Sequence, residues 1–151
     1  IFITAALYKQ LETEGQLAGV LGHEIGHVLA RHGAQQMAKQ QLTQGLAGAA
    51  GVAGGDVNSA QIAQMIGSMV NMKYGRNDEL ESDRWGIQLM VLAGYDPYAM
   101  IGVMDILKKS AGTGRQPEIF NTHPDPGNRI ERIRDYIERT YSSSLPTDLK
   151  P

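Results

Sequence analysis

Histidine and glutamate do much of their chemistry on protons and metal ions, and His23-Glu24-Ile25-Gly26-His27 spaces them for both. On an α-helix, positions four apart differ by about 6 Å of rise and about 40° of rotation, so both imidazoles leave one face and can converge on one ion. Zinc at roughly 2.0–2.1 Å from each ring nitrogen suits such a pair. Glu24, one residue on, points beside the metal, the position of a general base. The same five residues also occur on ordinary helices, so context has to separate the two cases. Here Leu17, Val20, Leu21, Ile25, Val28 and Leu29 make the stretch apolar around much of its circumference. Two histidines and a glutamate inside a buried helix need partners, which a metal and the groups around it would supply.

A catalytic zinc site takes three protein ligands and leaves a position for water. The chain has no cysteine and four histidines, so histidine and carboxylate are its only strong ligands. Positions 30 and 33 are Ala30 and Gly33, which excludes the pattern with a third histidine six residues past the second. His32, five past His27, falls on the far side of a continuous helix and reads as structural or surface. The better third ligand is Glu79, in Asn77-Asp78-Glu79-Leu80-Glu81-Ser82-Asp83-Arg84. Glu79 and Asp83 are four apart and share a helix face, so one carboxylate can bind metal while the other accepts the free N–H of a ligand histidine. The plainer reading of this stretch is a charged solvent face, to which Glu81 is assigned.

The elements that must hold these residues are mostly helices. Ile1-Phe2-Ile3-Thr4 reads as a short strand, giving a hairpin or small sheet near the start, and residues 5–11 read as a short helix. Thr13-Glu14-Gly15-Gln16 has the form of a capping box and starts a long helix near Glu14 that carries both histidines. Gly19, Gly22, Gly26 and Ala30 fall along one seam of it, where another backbone is expected to approach closely. The glycine-rich run 45–55 reads as a linker, with a lid as the functional alternative. A helix is expected to start at Asn58 or Ser59 and run to 73, with Ile62, Met65, Ile66, Met69 and Val70 inward. Further helices are expected over 78–93, capped by Asn77 and closed by Gly94, and from Asp96-Pro97 to about 109. A loop with His123 follows, then a helix over 126–141 burying Ile130, Ile133 and Ile137, then a flexible tail over 142–151.

Length and charge bound the function. At 151 residues the chain suits one domain, and its abrupt opening reads as the middle of one, with the N-terminal part missing. Fourteen basic against sixteen acidic residues give a net charge of −2, which argues against nucleic acid and against attachment to an anionic membrane. No apolar run is long enough to span a bilayer.

Taken together, His23-Glu24-Ile25-Gly26-His27, then Glu79 with Asp83-Arg84, then Thr122-His123-Pro124 with Arg129-Ile130, resemble the M48 family of zinc metallopeptidases over nearly the whole chain. The resemblance is closest to soluble bacterial members of the periplasm or cell envelope. It implies a mainly α, α+β zincin-like catalytic domain that binds one Zn2+ per chain and cuts polypeptides. It further implies that His23, His27 and Glu79 bind the metal, that Glu24 is the base, and that Asp83 orients a ligand histidine. His123 would either occupy the open zinc position in a resting state or, with Arg129 nearby, stabilise the oxyanion. Peptide substrates are expected to add as a strand beside Ile1 to Thr4. The competing reading is a zinc-stabilised chaperone or adaptor that binds unfolded chains without cutting, against which the intact Glu24 argues.

Overall fold

In the computed structural model, which describes residues 1–54, 74–111, 122–123, 128–142 and 144–151, Thr13 stands in extended backbone and its hydroxyl accepts the Gln16 N–H at 3.1 Å. The Gln16 side chain reaches back to accept the Glu12 N–H at 2.6 Å. The first bond satisfies one of the N–H groups that a helix start leaves orphaned, and the second pins the residue before the cap. Helix α2 therefore begins where the capping box puts it and runs Glu14–Leu29.

The described residues form five further helices: α1 Ala5–Tyr8, α3 His32–Gly54, α4 Arg76–Leu92, α5 Ala99–Ala111 and α6 Arg129–Tyr141. Gly94 adopts φ +81° after α4, the left-handed conformation that a glycine takes freely at a helix end. Asp96 then accepts the Tyr98 N–H at 2.9 Å and opens the turn into α5. At the start of α4 the cap is Gly75, whose N–H donates to the Asp78 carboxylate at 2.9 Å, so Asn77 lies inside the helix and does not cap it.

The glycine seam of α2 is a packing surface. A Cβ on Gly22 would lie 3.0 Å from the Gly86 Cα, and one on Gly26 would lie 2.9 Å from the Ser82 Cα. Helices α2 and α4 thus cross backbone against backbone, closer than any side chain would allow. One apolar cluster, Ile87, Met90, Met100, Ile133 and Ile137, joins α4, α5 and α6. A second, Leu7, Val20, Val103 and Leu107, joins α1, α2 and α5. Each such side chain contributes about 1.5–3 kcal/mol by leaving water. Ile130 is only half-buried.

Several expectations are corrected. Ile1 to Thr4 pairs with no strand among the described residues, where the one β contact is an isolated parallel bridge between Tyr95 and Lys150. Four β-prone residues make a strand only when a partner is supplied from elsewhere in the chain, and Thr4 instead caps α1 by accepting the Leu7 N–H. The stretch 45–54 is the second half of α3 and not a linker, since alanine, the best helix former, alternates with its glycines. Val28 and Leu29 are 67% and 51% exposed, so α2 is buried through its glycine and histidine face and not all round. The segment expected to be a flexible tail is tied down: Lys150 N–H donates to Gly94 O at 2.9 Å, Asp96 N–H to Lys150 O at 2.8 Å, and Gly15 N–H to Pro151 O at 2.9 Å. The helix expected from 58 or 59 to 73 lies outside the described residues. No helix among the described residues is long and apolar enough to cross a membrane.

Candidate metal centre

The close crossing of α2 and α4 sets their side chains face to face. His23 and His27 leave α2 with their Nε2 atoms 3.1 Å apart. From α4, Glu79 places Oε1 3.3 Å from His27 Nε2 and Oε2 3.4 Å from His23 Nε2. His123 closes the group from the loop before α6, its Nδ1 lying 2.9 Å from Glu79 Oε1 and 3.4 Å from His23 Nε2. One ligand atom from each of His23, His27, Glu79 and His123 falls within 4.8 Å of the others, and all four residues are buried.

Around this group a second set of contacts fixes orientation. His23 Nδ1 lies 2.9 Å from Asp83 Oδ1, so a proton on Nδ1 donates to the carboxylate and leaves the Nε2 lone pair facing inward. Asp83 in turn accepts both arms of the Arg129 fork, from Nε at 2.6 Å and from Nη2 at 2.5 Å. Arg129 is buried, and its Nη1 lies 3.2 Å from Glu79 Oε2. Arg129, expected near His123, turns its guanidinium toward the two carboxylates behind the histidines. Glu24 is partly exposed, with 23% of its side chain accessible, and its Oε1 is 3.5 Å from His123 Nε2. It stands beside the cluster and supplies none of its four ligand atoms. An apolar pocket walled by Val20, Met100, Val103 and Leu107 adjoins His23 and Glu24.

The electrostatics favour a cation. Glu24, Glu79 and Asp83 are three carboxylates against one guanidinium, Arg129, which leaves two negative charges when the imidazoles are neutral. Burial pushes the Glu79 carboxyl up, but the close imidazoles of His123, His23 and His27 outweigh it and hold the group far below the usual carboxylate range. Asp83 is likewise lowered, burial being overcome by Arg129 and His23. Burial pushes the His23 imidazole down, yet Asp83 and Glu79 together raise it above its ordinary value. His27 is lowered because burial dominates over its contact with Glu79. The cluster therefore draws positive charge, as a proton on His23 or as a metal ion. Glu79 Oε2 is buried without a hydrogen bond, since neither Arg129 Nη1 nor His23 Nε2 is aligned for one. An orphaned carboxylate oxygen among inward nitrogen lone pairs is a donor set that fits zinc.

Two neighbours of the cluster lie where sequence spacing does not put them. Tyr74 stacks on the His27 ring with centroids 4.0 Å apart and planes 28° apart, and its N–H donates to Thr122 O at 3.1 Å. Burial, followed by the charges of Glu24, Glu79 and Asp78, raises its phenol further and keeps it neutral. Its position, five residues before Glu79 and just outside α4, follows no periodicity that would announce it. His32 is the other: it is 1% exposed, and its Nδ1 lies 3.0 Å from His27 Nδ1.

Residues 1–137 match peptidase family M48. The chain is 34% identical over 145 residues to the beta-barrel assembly-enhancing protease of Escherichia coli (strain K12), an alignment covering 89% of this chain and 30% of that protein. It is 30% identical over 128 residues to metalloprotease YcaL of the same organism, covering 82% of this chain and 50% of that one. Metalloprotease LoiP, also from Escherichia coli (strain K12), is 31% identical over 126 residues, with 82% and 50% covered. The chain thus spans half or less of each of these three proteins.

Proposed function

This chain belongs to peptidase family M48, and we propose that its buried His23, His27 and Glu79 hold one zinc ion with which it hydrolyses peptide bonds. The observation that carries this reading is the four-residue cluster, all buried, with ligand atoms within 4.8 Å of one another and an orphaned Glu79 oxygen among them. When bound, zinc would polarise a peptide carbonyl and bring the pKa of water to about 7.

The chain's own residues do the rest. Glu24, partly exposed beside the histidines, takes the proton of the attacking water and later delivers it to the leaving amine. Asp83, held by Arg129, keeps the His23 ring in place, so Arg129 is a positioning residue; the fork it spends on Asp83 does not favour an oxyanion role. His123 is the fourth member of the cluster, a resting arrangement in which its imidazole would take the position that water needs at the metal. By analogy with relatives named as beta-barrel assembly-enhancing proteases, the substrates are misfolded or unassembled proteins of the bacterial envelope, and the site of action is the periplasm.

The test is hydrolysis of unfolded casein by the zinc-loaded protein beside its Glu24→Gln and His123→Ala variants. Removal of the base is expected to lower the rate by roughly 10²–10⁴-fold with zinc retained. His123→Ala is expected to raise it. Equal cleavage by wild type and Glu24→Gln would exclude this mechanism, and binding of casein without any cleavage by wild type or His123→Ala would favour a chaperone.

A further inference from the structure

On an uninterrupted helix, residue 32 would sit about 140° around from residue 27 and face away from it. The chain does not continue that way. Helix α2 ends at Leu29, and Arg31 takes φ +56°, a left-handed conformation that a residue with a Cβ adopts only at a cost. This reversal starts α3 at His32 and turns its imidazole back into the protein, where it is 1% exposed. There His32 Nδ1 lies 3.0 Å from His27 Nδ1 and 3.3 Å from Ser82 Oγ, and its Nε2 lies 3.4 Å from Glu81 Oε2.

We infer that His32 is a positioning residue for the metal site, an imidazole acceptor that holds His27 in the tautomer whose Nε2 lone pair faces Glu79 and His23. The inference rests on the zinc reading above. His27 Nε2 faces the cluster, so binding a metal there requires the ring proton on Nδ1. That proton has one acceptor at hydrogen-bond distance among the described contacts, His32 Nδ1. Accepting with Nδ1 puts the His32 proton on Nε2, which donates toward the Glu81 carboxylate. The two α2 histidines are then held by different means: His23 by the Asp83 carboxylate, His27 by a second imidazole backed by Glu81. Glu81, which spacing alone assigned to the solvent face, is 55% exposed and anchors the outer end of this relay.

The test compares wild type with His32→Phe, which keeps an aromatic ring but offers no acceptor, and His32→Gln, whose amide oxygen restores one. Zinc affinity is read by competition with a chromophoric chelator, the ligand field by visible absorption of the Co2+-substituted proteins, and folding by circular dichroism. His32→Phe is expected to weaken zinc roughly 10–100-fold and alter the Co2+ spectrum, with His32→Gln returning to within about threefold of wild type. Wild-type affinity and spectrum in a folded His32→Phe protein would overturn the inference. Should His32→Phe fail to fold, a loss of tenfold or more in a folded His32→Gln protein would overturn it instead, and near-wild-type affinity there would support it. A wild-type protein that takes up no zinc would end the zinc reading itself, which separates the two failures.

Discussion

Arg129 shows how much of the candidate metal site lies behind the four residues that could ligate an ion. Its fork holds Asp83, Asp83 holds His23, and the three groups are buried together, so none can be removed without exposing the others to an uncompensated environment. Arg129→Met leaves the Asp83 carboxylate buried without its cation, a loss of about 3–5 kcal/mol. Urea denaturation should register it, and Asp83→Asn combined with Arg129→Met should recover a good part, because removing both charges also removes the burial penalty. Additive losses in the double variant would show that the pair does not act as a unit. The spacing of Glu79 and Asp83 was legible as a shared face, and so was the convergence of His23 with His27. The arginine's direction was not, because which groups a side chain from a distant helix meets depends on how that helix is docked.

At the scale of elements, the site exists because α2 and α4 touch backbone to backbone. The seam was legible in the sequence, since glycines repeated along a helix are costly unless something must come close. Gly26→Val would set a Cβ 2.9 Å from the Ser82 Cα and 3.0 Å from the Trp85 Cβ. It is expected to cost at least about 1–3 kcal/mol and to weaken zinc by pushing away the helix that carries Glu79. Gly45→Ala is the control, because its Cβ would meet nothing within 4 Å. There the helix should gain about 0.5–1 kcal/mol with zinc binding unchanged. Denaturation curves with zinc titrations on both variants check the pair. What the sequence did not reveal about the elements has two causes. Ile1 to Thr4 has strand-like residues, but strand formation depends on a partner that local sequence cannot supply. His32 faces His27 through one left-handed residue, Arg31, and no rule of residue type marks an arginine for that conformation. The run 45–54 misleads in the opposite direction, its glycines suggesting a linker where its alanines keep a helix.

Across the whole molecule, one metal would tie together α2, α4 and His123, while one apolar cluster anchors α4 and the other anchors α2. The decisive property is whether zinc is held by two helices at once. Zinc content per chain, by elemental analysis of wild type beside Glu79→Ala, tests this most directly. About one zinc in wild type, lost or much weakened in a folded Glu79→Ala protein, is the expected result. Full zinc in the variant, or none in wild type, would contradict it.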